Sequence, residues 1–206
     1  MVTSFNATSP IIGRNRVLHG RVGLAKRIWL LTGEPGSGKT TALMKIVNAV
    51  RARGYSIGGV VAVEKRIKGI RVGFEIVDLL SGSRDILASV EQKTGPRVGK
   101  YRVNLKALSD LAAKALTEAR QHCDLIVCDE IGPMEMASPE FRKAVKEVVD
   151  SGKPMIGVIH KRMRDSLADE LRVSAEVEIV EVDIYRSEKV VSKILEAVLS
   201  LLGARC

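Results

Sequence analysis

The stretch Gly33-Glu34-Pro35-Gly36-Ser37-Gly38-Lys39-Thr40 constrains this chain more than any other. A short apolar run, Ile28-Trp29-Leu30-Leu31, precedes it, and a segment with helical apolar spacing, Thr41 to Arg53, follows. Strand, glycine-rich loop and helix in that order predict a nucleotide-phosphate loop. The glycines let the backbone curl until successive N–H groups point inward, and the helix N-terminus adds unpaired donors and a partial positive charge. In such a loop Lys39 reaches the β- and γ-phosphate oxygens and the Thr40 hydroxyl ligates Mg²⁺. Gly33, Glu34, Pro35, Gly36, Ser37, Gly38 and Thr41 complete the phosphate cradle.

A second stretch, Leu125-Ile126-Val127-Cys128-Asp129-Glu130, fits that expectation. Four apolar residues predict a buried parallel strand with two carboxylates at its C-terminal end, the edge of an open α/β sheet where ligands sit. Asp129 is the candidate Mg²⁺ ligand, and Glu130 the candidate for orienting or deprotonating an attacking water. Gly132-Pro133, just downstream, breaks the chain. Met155 to Ile159 predicts a further core strand ending at His160. That histidine either senses the γ-phosphate or bonds a neighbouring loop. Among Lys161, Arg162 and Arg164, one serves as an internal arginine finger or all three form a solvated cationic face.

The 206 residues suit one α/β domain, assigned to residues 27–206, after a flexible basic extension over residues 1–26. The formal net charge is +9. Five of the 33 basic residues and none of the 24 acidic ones lie in residues 1–27, so more than half of the excess precedes the first core strand. The domain itself is mildly basic, as a triphosphate site requires, and nucleic-acid binding becomes a minor reading that rests on the extension alone. No run of about 18 uninterrupted apolar residues is present for crossing a membrane, and no apolar signal core opens the chain. Cys123, Cys128 and Cys206 lack metal-ligand spacing and read as reduced thiols of a cytoplasmic protein; a monomer is expected.

Between the two motifs, Tyr55 to Glu64 and Ile70 to Leu79 predict an antiparallel hairpin around a turn at Lys65 to Gly69. Ser81 to Tyr101 is polar and reads as a connection, either solvated or acting as a lid through Lys93, Arg97, Lys100 and Arg102. Asn104 caps a predicted helix, and Ser138-Pro139 opens another. Glu176 to Val182 reads as the last strand and Ser187 to Leu202 as a closing amphipathic helix.

Together GEPGSGKTT, GFEIVDL, VGKYRV and above all DEIGPMEM resemble the THEP-type nucleoside-triphosphatases, a small P-loop family known from thermophiles and, as the cancer-related NTPase, from animals. The resemblance spans Arg27 to Leu199, and it implies that Gly33 to Thr40 bind the phosphates and that Leu125 to Gly132 form the second nucleotide-contacting segment. It implies a single RecA-like or kinase-like α/β domain, a mostly parallel sheet flanked by helices with one antiparallel hairpin. It also implies Mg²⁺-dependent hydrolysis of ATP, GTP, CTP and UTP to diphosphates, with little base preference. Tyr185 precedes Arg186 where the family often has an Asn-Arg pair, so the base contacts stay open. The alternative activity is a kinase passing the phosphoryl group to a nucleoside, nucleotide or other small acceptor from the same loop.

Overall fold

A computed structural model describes residues 26–183 and 185–204. The expected flexible extension lies, apart from Lys26, outside the described residues, as does Cys206. Three strands form the middle of the parallel part of the sheet: β1 (Ile28–Thr32), β7 (Leu125–Ile131) and β8 (Met155–Ile159). They are apolar on both faces because both faces are covered. Ile28 and Leu30 of β1 enter one core cluster and Trp29 and Leu31 the other; Ile126 and Val127 of β7 divide in the same way.

Helices α1 (Lys39–Arg51) and α6 (Ser187–Gly203) cover the second cluster. The first lies under a long helical rod, α4 (Pro139–Asp150) and α5 (Ser166–Val173). That rod comprises α2 (Leu105–Ala107), a π-helical stretch Leu108–Ala113 and α3 (Lys114–His122). Helix starts follow local chemistry. The Asn104 side chain accepts from the Ala107 amide, and the Ser138 hydroxyl accepts from the Phe141 amide with Pro139 in the first turn.

The other strands are β2 (Ile57–Ile67), β3 (Ile70–Asp78), β4 (Arg84–Ser89), β5 (Arg97–Val98), β6 (Tyr101–Val103) and β9 (Val177–Glu181). Among the described residues nine strands make one sheet in the order β5-β6-β4-β3-β2-β7-β8-β1-β9. The five strands from β2 to β9 are parallel, which is the expected α/β core. The expected hairpin is β2 with β3, but its turn is tighter than Lys65 to Gly69. Strand pairing runs to Ile67 and Ile70, leaving Lys68 (φ 49°) and Gly69 (φ 78°) as a two-residue turn. The antiparallel part is also larger. The segment read as a loop or lid over Ser81 to Tyr101 contains β4 and β5, with β4 paired to β3 and β6. Its Leu87 and Ala88 are buried, and pairing with neighbouring strands fixes what local alternation does not. Helix α5 is a further element absent from the sequence reading.

Two features of this layout position the site. β8 lies between β1 and β7, so the glycine loop and the Asp129-Glu130 pair flank one strand at the C-terminal edge. β2 pairs with β7 only through Ile57 to Val61, with Val61 opposite Asp129, and then continues beyond that edge. Phe141 anchors α4 to the sheet and is fully buried. Phe141→Ala is expected to cost about 3–5 kcal/mol of unfolding free energy, read as a lower urea midpoint with an unchanged m-value.

Candidate active site

The loop after β1 turns through glycines in the left-handed region, Gly36 at φ 78° and Gly38 at φ 88°. Gly33 packs against the Val182 carbonyl and the Ser37 hydroxyl, leaving no room for a Cβ. Helix α1 begins with Gly38 as N-cap, no side-chain cap and no acidic residue in its first turn. Its partial positive charge is therefore not answered by a side chain of its own first turn. Lys39 folds back over the loop, its Nζ donating to the carbonyls of Gly33 (3.1 Å) and Glu34 (2.9 Å). Pro35, Thr40 and Thr41 are exposed beside it.

β7 brings its carboxylates to the same edge. Its register against β8 shifts between Cys128 and Ile131, an irregularity of the kind that re-aims side chains next to active sites. Asp129 is 2% exposed, and its Oδ2 has no hydrogen-bond partner. Burial pushes its carboxyl up to about 7; the Thr40 hydroxyl draws it down, the Glu130 charge raises it further, and Lys39 opposes. Glu130 is also raised by burial, with His160 and then Lys39 pulling the other way. Lys39, Thr40, Asp129, Glu130 and His160 are thus in mutual electrostatic reach.

His160 has the local bonding that the second reading expects. It stands close enough to act on Glu130, and it is bonded locally, its amide donating to Ile131 O (3.1 Å) and its Nδ1 accepting from the Arg162 amide (3.3 Å). Lys161 is engaged by two carboxylates, Glu34 and Glu181. Arg164 lies in the turn between β8 and α5.

Buried polar groups are nearly always paired, so orphans point to a missing partner. Thr32 Oγ1, Ser37 Oγ and Asp129 Oδ2 are all buried without one. They belong to the end of β1, the loop and the end of β7. Two surface hollows of about 250 and 370 Å³ lie elsewhere, one at Arg27 and Glu176, the other between α3 and α4. Neither includes a phosphate-loop residue.

Comparison with known proteins gives the family. A family model described as NTPase matches residues 28–195. The nucleoside-triphosphatase THEP1 of Methanothermobacter thermautotrophicus is 38% identical over 176 residues, 85% of this chain and 98% of that protein. The THEP1 of Methanosarcina acetivorans is 42% identical over 174 residues, 84% and 97% of the two chains. The chain belongs to the THEP1 nucleoside-triphosphatase family. Solved structures of the THEP1 family superpose well. The crystal structure of THEP1 from the hyperthermophile Aquifex aeolicus gives a TM-score of 0.73 at 30% identity, covering 83% of this chain and 98% of that one. The solution structure of a human cancer-related nucleoside triphosphatase gives 0.72 at 32%, covering 85% and 98%.

This THEP1-family chain holds a third carboxylate that the sequence reading did not single out. Glu135, in the short helical turn Glu135–Ala137 after β7, is 5% exposed. It shares the space around Gly132 with Glu130: a Cβ on that glycine would stand 3.0 Å from Glu135 Oε2 and 3.2 Å from Glu130 Oε1. Burial, then the Glu130 charge, pushes the Glu135 carboxyl up to about 8, with its own backbone N–H opposing. The available signal was an acidic residue between Met134 and Met136, both of which pack on the core.

A carboxyl raised on folding contributes stability that is complete below the ordinary carboxyl range. It is lost as pH rises through the folded value. Glu135→Gln is therefore expected to gain stability relative to the parent between pH 5 and pH 8. Urea midpoints across that range measure it, and a pH-independent offset would refute the proton on Glu135.

Proposed function

We propose that this THEP1-family nucleoside-triphosphatase converts a nucleoside triphosphate and water to the diphosphate and phosphate with Mg²⁺, accepting ATP, GTP, CTP and UTP. The observation that carries the reading is the meeting of Lys39, Thr40, Asp129 and Glu130 at one sheet edge, with the buried Asp129 Oδ2 unpaired. In this reading the loop from Gly33 to Thr41 offers backbone donors and the N-terminus of α1 to the phosphates. Lys39 exchanges its two loop carbonyls for β- and γ-phosphate oxygens.

Thr40 and Asp129 suit Mg²⁺, since hydroxyl and carboxylate oxygens are its preferred ligands and Asp129 lacks a partner. When bound, the ion neutralises charge on the β,γ-phosphate oxygens. Glu130 accepts a hydrogen bond from the water and aligns it for in-line attack. Its burial-raised pKa moves its basicity toward neutral pH, which suits a general base. His160 beside Glu130 keeps that carboxyl from rising further.

Broad base tolerance accords with the 97% exposure of Tyr185, at the position where base contacts stay open. The relatives' names specify no base. The reading takes a monomer as the working unit. A cytoplasmic setting accords with the buried, unbridged thiols of Cys123 and Cys128. No helix among the described residues is long and apolar enough to cross a membrane.

The test is phosphate release from the four triphosphates with Mg²⁺, repeated with nucleosides and nucleoside monophosphates as acceptors. Release from all four, unaffected by acceptors, is the expected result. Phosphorylation of an acceptor faster than hydrolysis would make the chain a kinase. Lys39→Ala is expected to abolish nucleotide binding, whereas Glu130→Gln keeps binding and loses about 10²–10⁴-fold in turnover. Wild-type turnover in Glu130→Gln would remove that residue from the chemistry.

A further inference from the structure

Glu34 is the acidic residue of the loop Gly33 to Thr40, an odd occupant of a cradle for anions. A bare carboxylate there repels a triphosphate. Its partner comes from another strand end. Lys161, in the turn after β8, places Nζ 3.2 Å from Glu34 Oε1 and 2.7 Å from Glu181 Oε1 at the end of β9. The three strands involved, β8, β1 and β9, are neighbours in the sheet, so one amine ties together the three loops around the phosphate site. The hydrogen bond from Lys161 holds the Glu34 carboxyl below its ordinary value, with lesser help from Arg162 and Lys39. Glu181 and Glu34 together hold Lys161 charged. Lys39 meanwhile meets Glu34 only at its backbone carbonyl, so it does not form the pair that Lys161 does.

We infer that Lys161 is a positioning residue for nucleotide binding: held in place by Glu181, it cancels the Glu34 charge and keeps that carboxylate turned from the phosphates. It acts through Glu34 and does not touch the nucleotide. This rests on reading residues 33–40 as a nucleotide-phosphate loop. The pair is partly exposed, so its effect is modest and sensitive to salt.

The experiment is a double-mutant cycle of Lys161→Ala and Glu34→Gln, reading Kd for ATP, KM and kcat at low, physiological and high salt. Lys161→Ala is expected to raise Kd and KM about threefold at physiological salt, more at low salt and less at high salt. Its kcat should stay near that of the parent. Glu34→Gln is expected to bind more tightly than the parent, and adding Glu34→Gln to Lys161→Ala should restore tight binding. A double variant as weak as Lys161→Ala would overturn the inference and make Lys161 a direct phosphate contact. A Lys161→Ala protein with parental Kd would overturn it too. A parent protein that binds no triphosphate would instead overturn the loop reading on which the inference rests.

Discussion

A carboxylate buried at the end of a strand is the constraint around which this molecule is arranged. Asp129 sits almost out of contact with water, and one of its oxygens has no hydrogen-bond partner. An ionised carboxylate in that position needs a compensating charge or it takes up a proton. The chain's own answer is incomplete: the Thr40 hydroxyl and Lys39 favour the charged form but do not outweigh burial. Both belong to the first turn of α1, so the phosphate loop and the strand-end carboxylate depend on each other electrostatically across β8. Glu130 and Glu135 deepen the deficit of positive charge on the same side. In the proposed reading a bound cation answers this deficit; without one the carboxyls of Asp129 and Glu135 hold their protons more tightly.

On the other side of the loop the balance is kept by exchangeable partners. Lys39 is occupied by two backbone carbonyls and Lys161 by two carboxylates. In the proposed reaction, Lys39 gives up existing hydrogen bonds to make new ones to phosphate, so the net contribution is well below the gross strength of a charged contact. The loop is preorganised by its glycines, whereas the Lys39 charge is held by contacts that a triphosphate would replace in the proposed reaction. These are different devices. The first fixes geometry whether or not a nucleotide is bound, and the second sets how much of the electrostatic attraction is realised.

What could be read from the sequence was what is local in sequence. Gly36, Gly38, Lys39 and Thr40 each answer a demand within eight consecutive residues, and the Asp129-Glu130 pair announces itself by ending an apolar run. The caps at Asn104 and Ser138 were legible for the same reason. The misses were tertiary. β4 to β6 are short strands whose existence depends on β3 offering an edge, and two to six residues with one to three apolar positions do not signal that alone. Glu135 is acidic in a stretch whose burial only the packed fold reveals. Lys161 was open between a finger and a solvated cation because its partners stand 127 and 20 residues away.

The same distinction bears on the basic balance of the chain. The arm formed by β2 and β3 rises past Asp129 on the active edge and carries Lys65, Arg66, Lys68 and Arg71. Read from composition, it looks like a cationic wall beside the phosphates. In the fold Glu64 bonds both Arg66 and Arg71, and Glu75 pairs with Lys65. Arg71 also lies over Phe74 and donates to the Tyr101 hydroxyl. Three of the four cations are therefore committed to holding the arm's own strands in register. Exposed pairs of this kind cancel each other's field beyond about a Debye length of 8–10 Å. The charge felt by a triphosphate at the loop is then set by groups at the strand ends, Lys39, Lys161 and the first turn of α1, against Glu34, Asp129 and Glu130. A formal charge of +9 spread over 206 residues is compatible with a site whose own carboxyl groups outnumber its lysines. At such a site a single unpaired carboxylate weighs more than the sum of the distant lysines.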